Sequence, residues 1–128
     1  MPKQVIKTNQ APEAIGPYSQ AIKTGNLIFI SGQVPINPVN GEIQGDIREQ
    51  TRQALENLKS ILAAAGVSLA AVAKTAVFLK NLDDFNAMNA IYQQYFAQDA
   101  PARSTIEVSR IPRGALVEIE AIAVINSD

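Results

Sequence analysis

Arg103, Glu118 and Glu120 are the residues of this chain best suited to chemistry. Arg103 opens the strand expected in Pro101-Ala102-Arg103-Ser104-Thr105-Ile106-Glu107-Val108, and the glutamates alternate through Leu116-Val117-Glu118-Ile119-Glu120-Ala121-Ile122. Both runs read as strands, and strand side chains alternate between faces. Arg103, Thr105 and Glu107 therefore share one face, and Glu118 and Glu120 share one. An antiparallel hairpin turning near Ile111 and Pro112 is expected to set Arg103 and Thr105 opposite the glutamates, although a one-residue slip would reverse the facing. A guanidinium offers a planar fork of donors that grips a carboxylate at two points. A glutamate beside it can hold and polarise a water, so the pair suits hydrolysis of a small 2-substituted acid. A cross-strand ion pair that sets register, contributing about 0.2–1 kcal/mol, accounts for the same spacing. Both readings stand at this point. The apolar residues around these charges weigh toward use, because burying charge is costly unless it is paired or functional.

The rest of the composition narrows the chemistry. The 128 residues include no histidine and no cysteine. Disulfides, thiolate nucleophiles and zinc–sulfur sites are excluded, as are the usual general base and the commonest metal ligand. Acid–base work falls to carboxylates, tyrosine, lysine or a bound water. No acidic cluster with the spacing of a Ca²⁺ or Mg²⁺ loop is present, so no metal site is expected. The net charge of −1 gives no electrostatic attraction for polyanions and disfavours general nucleic-acid binding. With 47% apolar and 18% charged residues the balance is that of a globular protein, and the length fits a single domain over residues 1–128. The N-terminal residues lack the apolar stretch of a signal peptide. No apolar run reaches the roughly 18 residues of a membrane span. A soluble cytoplasmic protein is expected.

The elements that must position the candidates follow from periodicity and punctuation. Val5–Lys7 reads as a short edge strand, and Ala11–Pro17 as an irregular loop. Gln20–Lys23 and Leu27–Ser31 flank Gly25-Asn26, a hairpin signal. Leu27-Ile28-Phe29-Ile30 is continuously apolar, as in a strand buried on both faces. Asp46 and Glu49 form a capping-box pattern for a helix whose apolar stripe runs from Ile47 to Ala65, with Gly66 ending it. Val72–Lys80 reads as a strand. Asp83 or Asp84 caps a second helix with Phe85, Met88, Ile91, Tyr92, Tyr95 and Phe96 on its apolar face, ended by Pro101. Strands over Arg103–Ser109 and Leu116–Ile125 close the chain. The order β-β-β-α-β-α-β-β predicts an α+β fold with both helices on one sheet face. The last strand is apolar on both of its faces, and two helices cover only one. The uncovered face predicts a homo-oligomer with sheets packed together.

Other candidates are Tyr18, in the loop Gly16-Pro17-Tyr18-Ser19, and Ser31-Gly32-Gln33 at a strand end, where glycine permits close backbone approach. Packing and strand termination explain these equally well. Arg110 and Arg113 read as solvated loop residues, and Tyr92, Tyr95 and Phe96 as core.

Five segments in order, Ile15-Gly16-Pro17-Tyr18-Ser19-Gln20, Ser31-Gly32-Gln33-Val34-Pro35, Lys74–Leu79, Pro101-Ala102-Arg103-Ser104 and Val117–Ala121, resemble the Rid family of reactive enamine/imine deaminases along essentially the whole chain. The resemblance implies a chorismate-mutase-like α+β fold, a homotrimer with pockets between subunits, and no metal or organic cofactor. It implies hydrolysis of 2-iminobutanoate and 2-iminopropanoate, or their enamine tautomers, to 2-oxo acids and ammonia. Such imines leak from pyridoxal-phosphate dehydratases acting on serine and threonine. By the same resemblance Arg103 binds the substrate carboxylate and Glu118 orients the attacking water, with Glu120 the second choice. Tyr18, Ser31 and Gly32 line the pocket, and Thr105 stands where many members carry cysteine. The backbone groups of residue 105 remain available whatever its side chain. Two rival functions remain: a non-catalytic module sensing small 2-oxo acids, and a ribonuclease or translation inhibitor, as claimed for some similar proteins.

Overall fold

The computed structural model describes residues 2–125. Eight principal elements follow in order: β1 (Gln4–Ile6), β2 (Ala21–Thr24), β3 (Leu27–Gln33), α1 (Ile47–Ala64), β4 (Val72–Leu79), α2 (Phe85–Tyr95), β5 (Ala102–Glu107) and β6 (Val117–Val124). The strands form one sheet in the order β1-β2-β3-β6-β4-β5. Every pairing is antiparallel except β4 with β5.

That parallel pair corrects the expected hairpin. Strand β4, helix α2 and strand β5 make one strand–helix–strand unit, in which the helix carries the chain back to the end of β4 where it began. β5 is thereby set at the sheet edge alongside β4, Thr75 beside Arg103 and Val77 beside Thr105. β6 then crosses over to lie between β3 and β4, placing Glu118 beside Phe78 and Glu120 beside Ala76. β5 and β6 do not touch as a hairpin. β4 stands between them.

Both helices pack on one face, as the element order predicts. Leu55, Leu58, Ile61 and Leu62 of α1 and Met88 of α2 lock against Ile28, Val77, Leu79, Val117 and Ile119, all fully buried. Asp46 caps α1 by accepting from the N–H groups of Arg48 and Glu49. The Glu49 carboxylate packs over Gly45, so only the aspartate half of the capping box forms. Gly66, at φ 84°, ends α1 in the left-handed region. Asp84 precedes α2 without a side-chain cap, and Asn81 instead caps the single turn before it.

The other face of the sheet is bare. On one rung across it lie Ile22, Phe29, Ile122 and Lys74. Phe29 is 43% and Val124 37% exposed. The continuous apolar run of β3 is therefore buried on the helix side only. Among the described residues no helix is long and apolar enough to cross a membrane.

Candidate active site

Arg103 projects to the helix side of the sheet, at its β5 edge. Its guanidinium carbon lies 4.7 Å from the centroid of the Tyr92 ring and 5.6 Å from that of Phe85. Residues 85 and 92 are seven apart on α2, two turns along one face, so both rings reach the same strand. The Tyr92 hydroxyl shares a buried 2.7 Å hydrogen bond with Thr75 Oγ1. Burial raises the Tyr92 phenol above its ordinary pKa, against the opposing pull of the Thr75 bond, the Arg103 charge and a hydrogen bond from Arg103. Thr105, two residues beyond Arg103 on the same side, buries its Oγ1 with no hydrogen-bond partner.

Glu118 projects to the bare face, and a different set of elements builds its surroundings. Between Ile30 and Gln33, β3 carries one more residue than the β6 segment it pairs with. Such a bulge bends the strand and re-aims side chains. Gly32 lies in it, and the Glu118 carboxylate packs so closely over this glycine that a Cβ there would overlap Oε2. Only glycine leaves the carboxylate in this position. Ser31 donates its hydroxyl to Ser19 O at 2.6 Å, and its N–H to Gln20 O at 2.9 Å. These bonds hold the loop that carries Tyr18, a residue 54% exposed. Tyr18, Ser31, Gly32, Val34, Arg113 and Glu118 are among the walls of a groove of about 560 Å³. Burial raises the Glu118 pKa above its ordinary value, and the charge of Glu120 adds to the shift. The result is a more basic carboxylate, suited to taking a proton from water.

One chain thus brings together Tyr18, Ser31, Gly32 and Glu118, and sets Arg103 and Thr105 apart from them. The two groups lie on opposite faces of the sheet. Sequence reasoning assigned Tyr92 to the core, where it is, but missed its contact with Arg103. The available signal was its seven-residue spacing from Phe85. The reasoning also missed three amides that tie loop backbone together, two of them at the groove wall. Gln20 accepts from Thr8 N–H and donates to Pro12 O, Asn57 donates to Val34 O and Ile36 O, and Gln50 links Gly45 O to Leu116 N–H. No spacing rule marks an amide that caps loop backbone from far along the chain. Among the described residues no three acidic side chains converge as a metal site would require.

A single α+β domain with this sheet order, a carboxylate over a glycine bulge and an edge arginine defines a class for which known proteins provide comparison. The family described as endoribonuclease L-PSP matches residues 8–125, and the chain belongs to this family, the Rid family. It is 59% identical over 122 residues to a RutC family protein of Pyrococcus horikoshii, covering 94% of this chain and 97% of that one. It is 48% identical over 124 residues to the 2-iminobutanoate/2-iminopropanoate deaminase of Escherichia coli, covering 94% and 97%. Among solved structures, that of Escherichia coli TdcF with bound serine superposes with a TM-score of 0.93 at 44% identity, covering 96% and 99%.

Proposed function

We propose that this protein is a 2-imino acid deaminase that hydrolyses 2-iminobutanoate and 2-iminopropanoate to 2-oxo acids and ammonia, at sites shared between the subunits of a homotrimer. The observation that carries the reading is the placement of Arg103 and Glu118. Each has the environment its role needs, yet they lie on opposite faces of one sheet. A site that uses both draws them from two chains. The bare apolar stripe through Phe29 and Ile122 supplies a surface for such an assembly. The deaminase relative and the serine-bound neighbour support a small amino-acid-like ligand.

In this scheme Arg103 of one subunit binds the substrate carboxylate, and Glu118 of another faces the iminium carbon through a water. The water oxygen bonds to that carbon as the C=N π electrons return to nitrogen, and Glu118 takes the released proton. The carbinolamine nitrogen then accepts that proton from Glu118. The C–N bond breaks as the hydroxyl oxygen forms the carbonyl, and the hydroxyl proton leaves with the nitrogen as ammonium. The iminium is already electrophilic, so positioning and proton transfer suffice. The side chain of Thr105 takes no part in this scheme; the backbone groups of residue 105 remain available to the substrate.

A pyridoxal-phosphate dehydratase acting on threonine can generate 2-iminobutanoate in the assay, with 2-oxobutanoate formation followed with and without the protein. The protein is expected to accelerate it. Arg103→Ala should raise KM about 10- to 100-fold, the loss of one charge-assisted contact. A rate unchanged by the wild-type protein would reject the deaminase reading, and ligand-induced thermal stabilisation without turnover would identify a sensing module instead.

A further inference from the structure

We propose that Tyr92, locked in place by Thr75, is a positioning residue that holds the Arg103 guanidinium ready for a carboxylate. The inference rests on the assignment of Arg103 as the carboxylate-binding group.

Three observations converge on one rung of the sheet. Thr75 on β4 is the direct neighbour of Arg103 on β5. Tyr92 descends from α2 onto both, its hydroxyl on Thr75 Oγ1 at 2.7 Å and its ring beneath the guanidinium carbon at 4.7 Å. Phe85, one face of the same helix, adds a second ring at 5.6 Å. Plain core packing does not require this arrangement. A phenylalanine and a valine would fill the same space without sinking two hydroxyls at 5% and 1% residue exposure, a burial that costs free energy unless the groups bond each other. The bond fixes where the ring stands, and the ring attracts the cation through its π face. Among the described residues no carboxylate neutralises Arg103. The guanidinium also lies within reach of the Tyr92 hydroxyl, and a fork with five N–H donors keeps others for the oxygens of a ligand.

Restraint of this kind acts on binding, because a wandering arginine must be ordered each time substrate arrives. Its removal should therefore raise KM and spare kcat. The test compares Tyr92→Leu, which removes the ring, with Tyr92→Phe and Thr75→Val, which keep the ring and remove the lock. Three quantities are read on the intact oligomer: the Nε–H resonance of Arg103 in ¹⁵N-arginine-labelled protein, the KM and kcat for 2-iminobutanoate, and Tm.

In the wild type the Arg103 resonance should be shifted upfield by the ring current and exchange slowly with solvent. In Tyr92→Leu the shift should vanish and KM rise about five- to tenfold with kcat within twofold. Tyr92→Phe and Thr75→Val should retain most of the shift and raise KM about two- to threefold. A lowered Tm with wild-type KM in all three variants would make the cluster purely structural and overturn the proposal. So would an Arg103 resonance unchanged in Tyr92→Leu, or, where that variant does not fold, no change in KM in the other two. If the wild type hydrolyses no imine, the deaminase reading fails. The Arg103 resonance still decides whether Tyr92 holds the guanidinium.

Discussion

Replacing Gly32 by alanine should damage turnover while leaving fold and substrate affinity in place. Gly32 has no left-handed φ, so alanine is compatible with its backbone. The added methyl carbon would overlap Glu118 Oε2 and stand 2.9 Å from Cδ and 3.1 Å from Cγ, where ordinary contact begins at 3.4 Å. The obstacle is the end of a flexible side chain, so the carboxylate yields and the strand stays. It must retreat by about an ångström or more, a displacement that costs about 10²-fold in rate at a reacting centre. Removing a glycine stiffens the unfolded chain and offsets the crowding by about 0.4–1 kcal/mol, which should hold Tm within a few degrees of wild type. In the proposed site the arginine comes from another subunit, and the new methyl crowds only Glu118, so the grip on the substrate carboxylate is kept. Expected, then, is a kcat about 100-fold lower with KM within about twofold, measured by 2-oxobutanoate release. An alanine variant with wild-type kcat would refute the placement of Glu118 over Gly32 as the catalytic arrangement.

Four further outcomes test other parts of the site. The Glu118 carboxylate must be ionised to accept a proton, and its raised pKa moves the acid limb of kcat/KM upward from that of an ordinary glutamate. Glu120→Gln removes the smaller of the two causes, so the limb should move to lower pH without reaching the value of a free glutamate, as pH–rate profiles of the two proteins would record. Because the fold raises this pKa, it favours the protonated acid, and the stability so gained is full below the unfolded-state pKa and lost as pH rises through the folded one. Glu118→Gln should therefore unfold at a higher Tm than wild type at neutral pH, with the difference shrinking in acid, and turn over about 10²- to 10⁴-fold more slowly. Thr105→Val replaces a buried hydroxyl that has no partner. It should raise stability by about 1 kcal/mol, or Tm by about 3 °C, and leave hydrolysis intact, whereas a tenfold loss of activity would give that hydroxyl a role in binding. Phe29→Lys puts a charge into the bare apolar stripe and should shift the protein to monomers in sedimentation, with loss of turnover. Full activity in a monomeric variant would exclude an intersubunit site.

Alternation in the sequence determined much of this protein by itself. Strand periodicity assigned Val117, Ile119, Ala121 and Ala123 to one face of β6 and both glutamates to the other. Helical spacing set the buried stripe of α1, and Gly25-Asn26 marked the hairpin between β2 and β3. The absence of histidine and cysteine left carboxylates, tyrosine, lysine and water as the agents of any acid–base chemistry. These are local properties, fixed by neighbours a few residues apart. The relation between Arg103 and Glu118 is not local. Their strands are consecutive in the chain, and hairpin reasoning set them side by side. The helix between β4 and β5 returns the chain to run parallel, and β6 inserts between β3 and β4 because its two-sided apolar character is best buried in the middle of the sheet. Insertion of β4 between the two strands, with Arg103 and Glu118 facing opposite ways, separates arginine from glutamate. The same long-range packing made Tyr92 a neighbour of Arg103 and laid Glu118 over Gly32. Which residues are capable of chemistry was written in their types and spacing; which of them one chain can bring together was decided only when the strands took their order.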